Sequence, residues 1–134
     1  MMNGKQYRES LQKLHPVVWC NGRQITDVTT DRMTAPHVNA AALTYDLAND
    51  PEYQDLMLVK SHFTGETINR FTHIHQSTDD LIKKVLMLRM IAQKTGTCFQ
   101  RCVGFDAMNA TFITTYKVDK KHGTNYHERI CTLG

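Results

Sequence analysis

Between Ser77 and Gly96 the chain carries helix signals at both ends and a helical period in between. Ser77 offers a hydroxyl to the free N–H groups of a first turn. Asp79 and Asp80 follow where carboxylates suit the positive end of the helix dipole. Leu81, Val85, Leu88 and Ile91 or Ala92 then recur at helical spacing, as an apolar stripe on one face. Lys94-Thr95-Gly96 ends the run with a glycine fit for a left-handed cap. A segment marked this way cannot be a strand, so any fold for this chain must be built around a long helix.

The rest of the pattern agrees. Asn3 to Leu14 fits a short helix with Tyr7, Leu11 and Leu14 on one stripe, stopped by Pro16. Val17 to Cys20, Asn21-Gly22 and Arg23 to Ile25 read as a hairpin with a type I′ turn. Thr26 to Pro36 has no period. A helix is predicted from about His37 to Asn49, with Val38, Ala41, Ala42, Tyr45 and Ala48 as its apolar stripe. Asp50-Pro51 starts a short helix through Leu58. Ser61 to Gln76 reads as a long ordered loop. A further helix is predicted from about Phe105 to Lys120, and Thr124 or Asn125 begins another that the chain barely enters. The fold class is mostly α, with one small β-hairpin.

A length of 134 residues suits one domain, with a core that needs no disulfides. The net charge of +3 is small and the basic residues are scattered, which argues against nucleic acid. Met1 to Leu14 is polar, unlike a secretory signal, and no run approaches a membrane span. The expected compartment is the cytoplasm, where thiols stay reduced. Cys20, Cys98, Cys102 and Cys131 then suggest metal or redox use more than a disulfide framework; taken singly, Cys20 and Cys131 read as buried thiols.

Cys98 and Cys102 stand four apart, so on a helix both sulfurs share one face. Two thiolates supply half of a four-ligand zinc or iron–sulfur shell; inert thiols in a helix contact fit the spacing too. His73 and His75 would share one face of an extended segment, as a metal pair, as acid and base, or as ordinary solvated groups. No phosphate-binding glycine loop, dinucleotide fingerprint, serine-hydrolase elbow or zincin motif is present.

Longer strings say more than these spacings. Tyr53-Gln54-Asp55-Leu56-Met57, the stretch from Thr64 to Leu81, Gln93 to Gly104 and the tail from Tyr116 to Arg129 closely resemble the N-terminal region of the 4-hydroxybutyryl-CoA dehydratases. These belong to the 4-hydroxyphenylacetate 3-hydroxylase family and also have vinylacetyl-CoA Δ-isomerase activity. The resemblance covers nearly the whole chain but only about the first quarter of such an enzyme.

That resemblance implies an acyl-CoA-dehydrogenase-like architecture: a helical N-terminal domain, here residues 1–134, then a β domain and a helical bundle that this chain lacks. It implies FAD, a 4Fe–4S cluster, a CoA-thioester substrate and a homo-oligomer, a tetramer. It implies dehydration to crotonyl-CoA by a ketyl-radical route. Cys98 and Cys102 match two of the cluster's three cysteine ligands, and Gln100 matches a glutamine of the substrate pocket. The third cysteine, the histidine ligand and the catalytic base match nothing in this chain. The expectation is therefore a truncated product that binds neither cofactor stably and is inactive alone. Two alternatives remain at this point. One is a fragment of a flavin-dependent 4-hydroxyphenylacetate 3-monooxygenase-like enzyme, against which the cysteine pair counts. The other is a small non-enzymatic helical domain.

Overall fold

The computed structural model describes residues 1–96 and 101–132. They form two compact units, residues 1–57 and residues 58–134.

In the first unit, α1 (Gly4–Leu14) starts at a complete capping box. The Asn3 side chain accepts from Gln6 N, and the Gln6 side chain accepts from Asn3 N. Strands β1 (Val18–Cys20) and β2 (Arg23–Ile25) pair antiparallel, Val18 with Ile25 and Cys20 with Arg23. Asn21 and Gly22 turn between them with φ of 50° and 76°, the paired left-handed geometry of the predicted I′ turn. Residues 26–34 are irregular but tightly bonded. The Asp27 carboxylate accepts from the Thr29 amide and hydroxyl, and Asp31 takes Arg23 and the Met33 amide.

Helix α2 (Ala35–Asn49) starts two residues earlier than the sequence reading. Pro36 sits in its first turn, where a missing N–H costs nothing, instead of ending the loop before it. It packs antiparallel on α1. Gly4 N donates to Asp46 Oδ1 at 2.8 Å, Tyr7 stacks on Tyr45 with centroids 4.9 Å apart, and Arg8 reaches Asn39. Gly4 is required by this approach: a Cβ there would lie 2.4 Å from Asp46 Oδ2 and 2.8 Å from the Ala42 carbonyl. Ile25, Val38, Ala42, Leu47 and Ala48 are buried. The short α3 (Gln54–Met57) follows, trimmed to one turn because residues 51–53 are turn and Leu58 leaves as a strand.

The second unit opens with an element missed in the sequence. β3 (Leu58–Lys60) and β4 (Thr67–Asn69) pair antiparallel, Leu58 with Asn69 and Lys60 with Thr67. The turn between them is closed by Ser61 N on Glu66 O and Gly65 N on Ser61 O. The reading of 61–76 as loop therefore holds only in part, and the chain has two small strand pairs in a mostly helical fold. A 3-10 turn, Arg70–Thr72, leads to α4 (Thr78–Thr95).

Helix α4 has the predicted ends: a Ser77–Asp80 capping box and Gly96 at φ 65°. The predicted stripe is buried only towards its C-terminal end: Ile91 is fully buried and Leu88 half-buried, whereas Leu81 and Val85 are exposed and Met87, off the stripe, is fully buried. The helix carries apolar side chains on two adjoining stripes, so period alone could not tell which turns inward.

Helix α5 (Arg101–His122) begins four residues before the predicted start and buries Phe105 and Asn109. Helix α6 (His127–Cys131) is capped by Asp119 of α5, whose carboxylate accepts from Thr124 Oγ1, Tyr126 N and His127 N. Burial opposes ionisation of Asp119, but those hydrogen bonds outweigh it and hold the carboxyl below its ordinary range.

Candidate functional site

The polar centre of the second unit is built where the chain turns from β4 into α4. Arg70 ends the strand pair and is almost fully buried; its guanidinium donates to Leu58 O at 2.9 Å, which ties it to β3. Three residues on, one 3-10 turn brings His73 to the same side. Both face Asp80 of α4. Arg70 Nη1 lies 3.5 Å and His73 Nε2 3.3 Å from Asp80 Oδ1.

The other oxygen of Asp80 works on the backbone. Oδ2 accepts from Gln76 N at 2.9 Å, Ser77 N at 3.1 Å and Ser77 Oγ at 3.1 Å. Burial raises the cost of ionising Asp80, yet the bonds from Gln76, Ser77 and His73 exceed it, so its carboxyl titrates below the usual range. The carboxylate thus has two duties on two oxygens: helix cap and counter-ion.

His75 lies beyond His73 on an extended segment, and the two rings are 6.4 Å apart, as i and i+2 placement predicts. Asn109 of α5 clips this segment in place. Its Oδ1 accepts from His75 N at 2.8 Å, and its Nδ2 donates to His73 O at 3.2 Å and to Phe105 O at 3.0 Å. One amide side chain does here what a neighbouring strand would do in a sheet.

The His75 ring rests on Phe105, centroids 4.7 Å apart. Burial, then the nearby charge of Lys84, pushes its pKa down, so it is neutral at physiological pH. Lys84 caps the Phe105 face and pairs with Asp106. His62 is held neutral mainly by burial as well, and its ring meets the edge of His73 at 6.3 Å.

Cys102 lies in the first turn of α5, free and half-buried. Three residues later on the same helix, Phe105 carries His75. Arg101 stacks its guanidinium 4.6 Å from the Phe71 ring, which fixes the entry of the helix. Cys98 and Gln100 lie outside the described residues, and among the described residues no three His, Cys, Asp or Glu side chains come close enough to hold a metal. Cys20 and Cys131 are free and half-buried.

Sequence reasoning singled out His73 and His75 but missed what holds them. Asp80 read only as a helix cap, and Asn109 was not noticed. The available signal for Asn109 was a polar residue among Phe105, Ala107, Met108 and Ala110, where a buried amide must find partners. A cleft of about 240 Å³ in the first unit, lined by Leu11, Gln12, His15 and Asp27 among others, offers no comparable chemistry. Its carboxylate is already engaged by Thr29 and Gln12.

Comparison with known proteins places the chain as a whole. Residues 3–133 match the model of the family described as 4-hydroxyphenylacetate 3-hydroxylase N terminal. The chain belongs to that family. It is 55% identical, over 128 residues and 96% of its length, to the 4-hydroxybutyryl-CoA dehydratase/vinylacetyl-CoA-Δ-isomerase of Clostridium aminobutyricum. An oxygen-tolerant archaeal 4-hydroxybutyryl-CoA dehydratase from N. maritimus superimposes over 98% of the chain with TM-score 0.92 and 43% identity. The oxygenase component of 4-hydroxyphenylacetate 3-monooxygenase, solved with FAD, shares the fold over 70% of the chain with TM-score 0.60 and 24% identity. The chain spans about a quarter, 26%, of each dehydratase and 19% of the monooxygenase. No helix among the described residues is long and apolar enough to cross a membrane.

Proposed function

We propose that this chain is the N-terminal helical part of a FAD- and 4Fe–4S-dependent 4-hydroxybutyryl-CoA dehydratase with vinylacetyl-CoA Δ-isomerase activity. The observation that carries the reading is the 55% identity to such an enzyme across 96% of the chain, against 24% to the monooxygenase across 70%. Bound together, the two cofactors supply one-electron chemistry and a Lewis acid for the departing hydroxyl.

The chain's own residues have narrower tasks. Cys98 and Cys102 tether one side of the cluster as thiolates. Gln100 lines the pocket for the CoA thioester. Asn109 holds the His75 backbone so that the His75 ring rests on Phe105 of α5. The remaining cluster ligands, the base and the flavin site come from outside this chain, so the chain alone is inactive. The working enzyme is a cytoplasmic homotetramer.

The test is reconstitution. This chain is joined to the remaining three quarters of the Clostridium aminobutyricum relative and purified without oxygen. Iron content, flavin absorption and crotonyl-CoA formation are then measured. Iron, flavin and activity together are expected, and Cys98→Ser with Cys102→Ser should remove the iron. A cluster that survives the double substitution sinks the ligand assignment. Flavin without iron favours the monooxygenase-like reading.

A further inference from the structure

The dipeptide Asn-Gly occurs twice in this chain, at Asn3-Gly4 and at Asn21-Gly22. It is the pair most open to a reaction of the backbone with its own side chain. The glycine nitrogen, with no Cβ on its own residue to obstruct it, can attack the side-chain carbonyl of the asparagine. The two copies stand in opposite surroundings.

At Asn3-Gly4 both reacting groups are held. The Asn3 side-chain oxygen accepts from Gln6 N at 2.9 Å as the cap of α1. Gly4 N, the attacking atom, donates to Asp46 Oδ1 at 2.8 Å, and Gly4 is buried against α2. A carboxylate on that N–H also opposes loss of the proton that the attack requires.

At Asn21-Gly22 neither group is held. Both residues are exposed, and among the described residues no hydrogen bond engages the Asn21 side chain or Gly22 N. A Cβ built on Gly22 would meet no atom within 4 Å, so the approach is open. Ring closure takes Asn21 away from its φ of 50°, so the turn must first loosen. The strands it joins are three residues each and, among the described residues, pair only with each other. A ribbon of that size loosens at little cost.

We propose that Asn21 is a site of spontaneous covalent modification, and that the fold confines the reaction to this turn by holding Asn3-Gly4 shut. Gly22 N gives up its proton to solvent and bonds to Asn21 Cγ. The side-chain amide takes a proton from solvent and leaves as ammonia. Water then opens the five-membered imide at either carbonyl. One opening gives aspartate, and the other gives isoaspartate, in which the main chain runs through Cβ. The sum is amide plus water to carboxyl plus ammonia, with no oxidant or reductant. Aspartate with Gly22 still suits a I′ turn. Isoaspartate lengthens the main chain by one carbon and cannot keep Cys20 opposite Arg23. The hairpin thus registers the age of the chain, and its modified form is the kind of substrate that an isoaspartyl carboxyl methyltransferase takes.

The test incubates the whole chain at mildly alkaline pH, folded and in urea, and follows the Asn3 and Asn21 peptides by mass spectrometry. Isoaspartate is counted with a purified isoaspartyl carboxyl methyltransferase and a labelled methyl donor. In the folded chain Asn21 should convert at least about tenfold faster than Asn3, because freeing Asn3-Gly4 breaks two hydrogen bonds, one of them to a charged group. In urea the two rates should converge. Asp46→Ala, which releases Gly4 N, should speed conversion at Asn3 and leave Asn21 unchanged. Asn21→Gly, which keeps a residue suited to the turn, should remove the methyl label. Equal rates in the folded chain overturn the proposal. So does a difference that persists in urea, which would belong to the neighbouring residues and not to the fold. An Asn3 rate indifferent to Asp46→Ala, or a methyl label that survives Asn21→Gly, overturns it as well.

Discussion

Asp80→Asn removes one charge from the centre of the second unit and almost nothing else. At the third helical position of the capping box, the asparagine carbonyl can still accept from Gln76 N and Ser77 N. What it cannot do is present an oxygen on the other side as well. The Nδ2 group would point at Arg70 Nη1 and His73 Nε2, which now lie 3.5 and 3.3 Å from a carboxylate oxygen. Arg70 is 3% exposed, so its charge would stay buried without its counter-ion. Breaking a buried pair from one side costs about 3–5 kcal/mol; Asp80 keeps some solvent contact, which lowers the expectation to about 2–4 kcal/mol.

The natural assay is native-state hydrogen exchange of the α4 amides, together with urea unfolding followed by circular dichroism. Trp19, the only tryptophan, lies in the first unit and is 66% exposed, so its fluorescence would report poorly on this change. The pH dependence has a definite sign. Asp80's folded pKa is depressed below the ordinary 3.8, so between the two values the unfolded chain binds more protons and stability rises with pH. The difference between wild type and Asp80→Asn should be constant near neutrality and narrow as pH falls below about 4. A loss under about 1 kcal/mol near neutrality, the scale of a first-turn carboxylate on the helix dipole alone, would refute the counter-ion role.

Two further substitutions probe the packing. Gly4→Ala should destabilise the first unit by about 1–3 kcal/mol, read as a fall in its thermal midpoint. Adding Asp46→Ala should recover only part of that loss, because the Ala42 carbonyl is backbone and cannot step aside. Asn109→Leu should cost about 2–4 kcal/mol and abolish exchange protection of the His75 amide, since it strands His75 N and His73 O. Asn109→Asp should not rescue it, because a carboxylate would face the His73 and Phe105 carbonyls.

Where an element is specified by neighbours in sequence, it was legible. Asn21-Gly22, Ser77 with its first-turn acids, and Gly96 each satisfy or bend the backbone within a few residues, and the structure places each as read, whereas Asn3, read as the first helical residue, is the cap. The start of α5 was placed late because the residues before Phe105 do not carry an apolar period. The β3–β4 pair escaped because, unlike the equally short β1–β2 pair, it has no Asn-Gly turn to announce it; its turn is built around Ser61. On α4 the stripe was right at Ile91 and wrong at Leu81 and Val85, because burial along a helix is decided by what each turn meets. Tertiary contacts hid the site in the same way. His73 and His75 were visible as residue types, but Asp80 lies on a different element and Asn109 is separated from His75 by 34 positions. The α6 cap, supplied by Asp119 from eight residues upstream of His127, is the same kind of omission.

The clip made by Asn109 carries a consequence for how this region can change over time. Among the described residues, α4 and α5 are tied by Asn109 on the 73–75 segment, by Asp80 on Gln76 and His73, and by Lys84 with Asp106. Each tie is a bond between two or three named groups, so a change at Asn109, Asp80 or Asp106 needs a matching change in its partner, and such sites are expected to vary together rather than singly.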